Sequence, residues 1–146
     1  SEASQRVMVL PASVAQPAAS VDREVTFEFS PFAGPNGETM WAINGQRMPM
    51  EPLFAFQQGE RVRFLLKNTE QPGHPFHMHG NFFQIEDDGR AWTNQPGRRD
   101  TVLIPSRSQL SVIADLSNPG RWMVHCHILE HAELGMMAEI LVEPGE

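Results

Sequence analysis

All six histidines and the single cysteine of this 146-residue chain fall in two short runs. The first is His74-Pro75-Phe76-His77-Met78-His79-Gly80. The second is His125-Cys126-His127-Ile128-Leu129-Glu130-His131-Ala132-Glu133-Leu134-Gly135-Met136. Imidazole, thiolate and thioether groups are ligands for soft and borderline metal ions. Their confinement to two distant segments predicts a metal site that the fold assembles from both. Successive side chains on a strand leave it on opposite faces. On a strand, His125 and His127 therefore point one way and Cys126 the other, so one backbone segment can touch two different metal sites. The covalent path between those sites is a few bonds long, which suits electron transfer.

The first run divides in the same way. His77 and His79 are two residues apart and can share a face. His74 precedes His77 by three and is separated from it by Pro75, so it can sit elsewhere. This allows His74 to join Cys126 while His77 and His79 join His125 and His127. His131 lies five residues past Cys126 and Met136 five further on, and a strand–helix–strand connection can return both to the thiolate. His74, Cys126, His131 and Met136 would then form a trigonal His₂Cys set with a weak axial Met, the ligand signature of a blue-copper site. Zinc is the rival ion, although structural zinc sites carry more cysteines and seldom use Met. A catalytic Cys126 nucleophile paired with histidine is the other rival, and it leaves the first cluster unexplained. Met123 and Met137 read as core residues. Met40, Met48 and Met50 read as apolar gap-fillers rather than as a soft-metal surface path.

The elements that must position these groups are short. The length is that of one domain, large enough to hold a core without disulfides, and the lone Cys126 has no internal partner. The net charge of −7 argues against nucleic acid or an anionic membrane as partner. No apolar run reaches the length of a spanning helix, and no signal peptide is visible. The chain starts at Ser1 rather than Met, so it is expected to be processed or cut from something larger. Twelve prolines and eleven glycines, dispersed along the chain, punctuate it as an all-β domain with many turns.

Residues 1–20 read as an N-terminal extension or linker remnant, with a short edge strand at Arg6–Leu10 and a Pro/Ala/Ser-rich loop after it. Residues 21–146 form the domain. Val21–Ser30 alternates as a half-buried strand with Val25, Phe27 and Phe29 inward. The segment Ser30–Gly37 reads as a loop. Thr39–Ile43 is a short strand closed by the Asn44-Gly45 turn signal. Leu53–Phe56 and Arg61–Asn68 follow, the latter with Val62, Phe64 and Leu66 inward. After a polar loop, Thr69–Gly73, comes the first histidine run. Asn81–Glu86 resumes as a strand, Ala91–Arg99 is an irregular loop holding Trp92, and Asp100–Ile104 and Gln109–Leu116 are strands. A turn at Asn118-Pro119-Gly120 leads to a strand Arg121–His127, a helix of about two turns at Ile128–Leu134 capped by Gly135, and a last strand Met136–Val142. Seven to nine short strands predict a Greek-key sandwich or barrel.

His-Pro-Phe-His-Met-His-Gly followed by His-Cys-His-Ile-Leu-Glu-His-Ala-Glu-Leu-Gly-Met-Met resembles the C-terminal cupredoxin domain of multicopper oxidases, which include laccases and bacterial cuprous oxidases. The resemblance runs over about residues 38–143 and takes in Asn44-Gly45, Asp100-Thr101-Val102 and Pro119-Gly120-Arg121-Trp122. It implies a cupredoxin-like Greek-key fold with one short helix near the C-terminus. It implies that His74, Cys126, His131 and Met136 hold a type 1 copper, His77 a type 2 copper, and His79, His125 and His127 a type 3 pair. In that family a small reductant, phenol-like or a metal ion, is oxidised one electron at a time at type 1. The electrons pass through Cys126 and its flanking histidines to a trinuclear cluster that reduces dioxygen to water. Met136 in place of Leu or Phe resembles the bacterial members and implies a modest potential. The family's cluster uses eight histidines, and this chain offers four candidates, so an N-terminal cupredoxin domain in the same or another chain is implied as partner. Ala132 stands where many bacterial members carry an acid that helps deliver protons. A periplasmic or secreted location follows from the resemblance. The competing expectation is a stand-alone blue-copper electron carrier with only the type 1 site filled.

Overall fold

The structure, a computed structural model, describes residues 20–46, 51–126 and 137–145. Among these, eleven strands and one turn of 3-10 helix follow in order: β1 Arg23–Ala33, β2 Thr39–Ile43, β3 Phe54–Gln57, β4 Arg61–Asn68, β5 His74–Met78, β6 Phe83–Ile85, the 3-10 turn Ala91–Thr93, β7 Arg98–Arg99, β8 Thr101–Ile104, β9 Ser108–Asp115, β10 Gly120–Cys126 and β11 Met137–Glu143. They form an all-β sandwich of two sheets. One is six-stranded in the order β2-β1-β4-β9-β6-β7, and the other five-stranded in the order β3-β11-β10-β5-β8.

Period-two patterning sets the core. In β4, Val62, Phe64 and Leu66 are fully buried, and the antiparallel register places them opposite Ala114, Val112 and Leu110 of β9. Phe27 and Phe29 of β1 face the same interior, where the Phe27 ring stacks on Phe64 at 5.4 Å. The second sheet contributes Phe76, Met78, Val102, Ile104, Val124, Ala138, Ile140 and Val142. The Asn44-Gly45 turn is as expected: both residues have positive φ, 53° and 77°, as a two-residue hairpin turn whose twist matches its strands requires.

Several expectations change. The strand expected to stop at Ser30 runs on to Ala33 through Pro31. Its parallel partner β4 ends at the Phe29↔Asn68 pair, so past that point β1 has only β2 beside it, and a proline's missing N–H can face an open edge. The first histidine run is itself a strand, β5, despite Pro75. Pro75 pairs with Leu103 of β8, and the described part of β10 ends at Cys126, opposite Phe76. Phe82, expected in a strand, is 50% exposed, because β6 begins one residue later. The stretch 91–99 is less irregular than expected, holding the 3-10 turn and β7. Met123 and Met137 are half-buried rather than core, since they alternate with the inward Val124 and Ala138. The expected strand Arg6–Leu10, the helix Ile128–Leu134 with its Gly135 cap, and the residues Met48 and Met50 lie outside the described residues.

Candidate metal centre

β5 and β10 lie side by side, antiparallel, with Val124↔Met78, His125↔His77 and Cys126↔Phe76 as partners. Alternation then sorts the side chains. His74, Phe76, Met78, Val124 and Cys126 are buried in the interior, while His77 and His125 stand on the other face. Two clusters result, one on each side of the same pair of strands.

The inner cluster joins His74 to Cys126, each 1% exposed, with His74 Nδ1 3.7 Å from the sulfur. The Trp41 ring meets the His74 imidazole edge-on, centroids 4.3 Å apart at 69°, and Phe29 closes another side at 6.5 Å. The entry to His74 is tied by buried Asn68, whose amide donates to the carbonyls of Pro72 (2.8 Å) and Pro105 (3.2 Å). Neither Trp41 nor Asn68 was picked out as part of the site by its spacing.

The outer cluster holds His77, His79 and His125, with one nitrogen from each within 4.8 Å of the others. His77 Nδ1 lies 3.0 Å from the Asp100 carbonyl oxygen and 3.0 Å from Thr101 Oγ1. A carbonyl only accepts, and the Thr101 hydroxyl donates to Asp100 Oδ1 at 3.0 Å. Nδ1 therefore carries the proton, and Nε2 presents the lone pair. His125 is set in the same way: its Nδ1–H donates to the Cys126 carbonyl at 2.7 Å. The Nε2 atoms of His79 and His125 are 3.0 Å apart. With its proton on Nδ1, His125 offers a lone pair at Nε2, which can accept an Nε2–H from His79 or face one cation together with a His79 lone pair. A cavity of about 320 Å³, lined by residues 77–82 with Asp100 and Trp122, opens on His77 and His79. The side chains of Asp100 and Thr101 touch His77 from the neighbouring strand. The sequence singled out Asp-Thr-Val only as part of a resemblance.

The donor set can be tested for fit. A nitrogen and a sulfur bound at about 2.0 and 2.3 Å, roughly 120° apart, lie about 3.7 Å from each other, which is the His74–Cys126 separation. Two imidazole nitrogens bound at about 2.0 Å and between 90° and 109° apart lie about 2.8–3.3 Å from each other, which brackets His79–His125. Both clusters therefore suit an ion, one with a thiolate and one with imidazoles only. His127, His131 and Met136 lie outside the described residues. Arg98 stands over Phe82 at 5.3 Å, on the imidazole side, and Trp92 packs under Arg90 at 4.1 Å.

A family profile described as multicopper oxidase matches residues 20–146. The chain is 31% identical over 128 residues to copper resistance protein A of Pseudomonas syringae pv. tomato, covering 88% of this chain and 19% of that protein. It is 33% identical over 102 residues to the multicopper oxidase MmcO of Mycobacterium tuberculosis, covering 68% of this chain and 19% of that protein. Among solved structures, a multi-copper oxidase from Pseudomonas thermotolerans superposes with a TM-score of 0.72 at 28% identity, over 88% of this chain and 31% of that one. The chain thus spans about a fifth of the length of these curated relatives and about a third of that solved structure.

Proposed function

Since the chain belongs to the multicopper oxidase family, with copper as its cofactor, we propose that it is the C-terminal cupredoxin domain of a larger copper-dependent oxidase, the domain itself beginning near residue 21. In this reading His74, Cys126, His131 and Met136 hold a type 1 copper, His77 a type 2 copper, and His79, His125 and His127 a type 3 pair. Bound copper would supply one-electron redox chemistry, oxidising a small reductant on the thiolate side and reducing dioxygen to water on the imidazole side. The observation that carries the reading is the two-faced β5–β10 pair: the thiolate of Cys126 and the imidazole of His125 leave adjacent residues in opposite directions, and each meets histidine from one partner strand.

The chain's own residues do the positioning. Trp41 and Phe29 keep water from the His74–Cys126 pair. The Asp100 carbonyl and Thr101 hydroxyl hold the proton of His77 on Nδ1 and turn Nε2 outward. The Cys126 carbonyl does the same for His125, so the residue that supplies the thiolate also orients an imidazole of the opposite site. Sulfur and imidazole are thereby linked through the Cys126 backbone and one hydrogen bond of 2.7 Å. Four imidazoles make half of an eight-imidazole cluster, so a second cupredoxin domain, in the same or another chain, completes it. The proposed location is periplasmic or secreted. Among the described residues no helix is long and apolar enough to cross a membrane.

The test is copper content and oxygen consumption of the whole oxidase bearing this domain, with and without His77→Ala. About four coppers per molecule and loss of oxygen reduction in the variant are expected. Undiminished oxygen reduction would remove His77 from the cluster, and a single copper with no oxygen consumption would point to the electron-carrier alternative.

A further inference from the structure

His79 has the least secondary structure behind it of the described histidines. The β5–β10 ladder closes at Val124↔Met78, so His79 lies one residue past the last pair, exposed, at a turn through Gly80 with φ +81°. Its Nε2 nonetheless stands 3.0 Å from that of His125. Ligands of one ion need placement to within about 0.5 Å, which a loop on its own does not give.

The turn is held from the side by the segment that opens β10. Asn81 is only 4% exposed. Its Oδ1 accepts the Asn118 backbone N–H at 3.1 Å, and its Nδ2 donates to the Asn118 carbonyl at 3.3 Å, so one side-chain amide pairs with a backbone residue as a neighbouring strand would. Asn118 answers by donating its Nδ2 to the Gly80 carbonyl at 2.8 Å. Trp122 Nε1 donates to the same Asn118 carbonyl at 2.9 Å. The indole also closes directly on the turn: a Cβ at Gly80 would meet its ring carbons at 2.2–2.4 Å, and one at Gly120 would meet them at 2.7 Å. Glycine at both positions, with its free φ, lets the ring lie against the backbone beside His79. The His79 N–H then donates to the Met123 carbonyl at 3.0 Å, the last tie before the imidazole.

The geometry points to a clamp: Asn81, Asn118 and Trp122 are positioning residues that hold His79 against His125 for the imidazole-side ion. This rests on the copper-binding reading above and adds residues that touch no ligand atom themselves. They act through His79 rather than through the thiolate side, because His74 lies at the other end of β5, set by Asn68, Trp41 and Phe29, and Cys126 lies across from Phe76 on the opposite face.

The full chain tests this with two metal probes. Zn²⁺ binding is followed by long-range proton–nitrogen NMR at the His79 and His125 side-chain nitrogens, and Co²⁺ binding by the thiolate-to-metal absorption of Cys126. Asn81→Ala is expected to weaken Zn²⁺ at the imidazoles by about 10- to 100-fold, the usual cost of losing a partner that orients a ligand. The Cys126 absorption and its Co²⁺ affinity should stay unchanged even if the melting temperature falls. Trp122→Phe, which keeps the ring plate and loses only the N–H, should shift Zn²⁺ affinity several-fold in the same direction, and it decides alone if Asn81→Ala does not fold. Equal Zn²⁺ affinity in wild type and variants overturns the clamp and leaves the copper reading standing. Equal weakening of both probes also overturns it, since the loss would then be global. Zn²⁺ that moves no imidazole nitrogen of the wild type overturns the copper reading, and the clamp with it.

Discussion

Cys126 and His125 share a peptide bond yet serve opposite faces of β10, and the Cys126 carbonyl is the acceptor that fixes the tautomer of His125. A substitution at the sulfur should therefore separate the two sites. Cys126→Ser keeps the backbone carbonyl and loses the thiolate. The expected outcome is loss of thiolate-to-metal absorption with Co²⁺ or Cu²⁺ while Zn²⁺ still reaches His79 and His125, read by absorption and by NMR on the same samples. Trp41→Ala should leave a cavity against His74 and cost about 3–5 kcal/mol of stability, measured by urea unfolding. The candidate donors stood out in the sequence because six histidines and one cysteine in two runs is a compositional anomaly that needs no structure to see. Their orienting partners were not. Thr101 and Asp100 reach His77 from 24 and 23 residues away, across a strand pair whose register no local pattern specifies.

At the scale of elements, the strands that could be read were those with one buried and one wet face. β4 and β9 alternate cleanly and were placed to within a residue, and the Asn44-Gly45 hairpin was placed by its turn residues. β5 was not read as a strand, because its only apolar alternation is Phe76 and Met78 and it carries a proline. Its strand form comes from tertiary pairing with β10 and β8, which outweighs local propensity. Phe64, fully buried at the centre of β4 and touching Phe27 and Phe56, should cost about 3–5 kcal/mol on truncation to Ala. The turn after β6 gives a pH prediction. The Arg90 guanidinium, hydrogen-bonded to Asp88, holds that carboxyl down to about 2 from its ordinary 3.8, with the Arg90 backbone N–H and the Thr93 hydroxyl helping. A carboxyl lowered in the folded state stabilises it above the ordinary value, and the benefit fades as pH falls toward 2. Asp88 is 42% exposed, so the effect stays under about 1 kcal/mol. The melting-temperature gap between wild type and Arg90→Ala should be wider at pH 5 and narrow as pH approaches 2, leaving the part due to the Trp92 stack and the Gln109 carbonyl.

At the scale of the whole molecule the two faces differ in completeness. The inner pair is sealed in the core of this chain, whereas the outer histidines open into a cavity at the surface, with His79 exposed. The chain spans about a fifth of the length of its curated relatives, and in the proposed reading the four imidazoles it does not offer come from a further domain. The domain by itself should therefore bind ions without reducing dioxygen, and an oxygen electrode on the copper-loaded chain checks this. The most direct test is one map, the copper-edge anomalous difference density of copper-loaded crystals of this chain. One peak is expected between His74 Nδ1 and Cys126 Sγ and a separate peak between the Nε2 atoms of His79 and His125. Copper density away from Cys126, or a single peak that leaves the imidazole pair empty, would contradict the proposed reading.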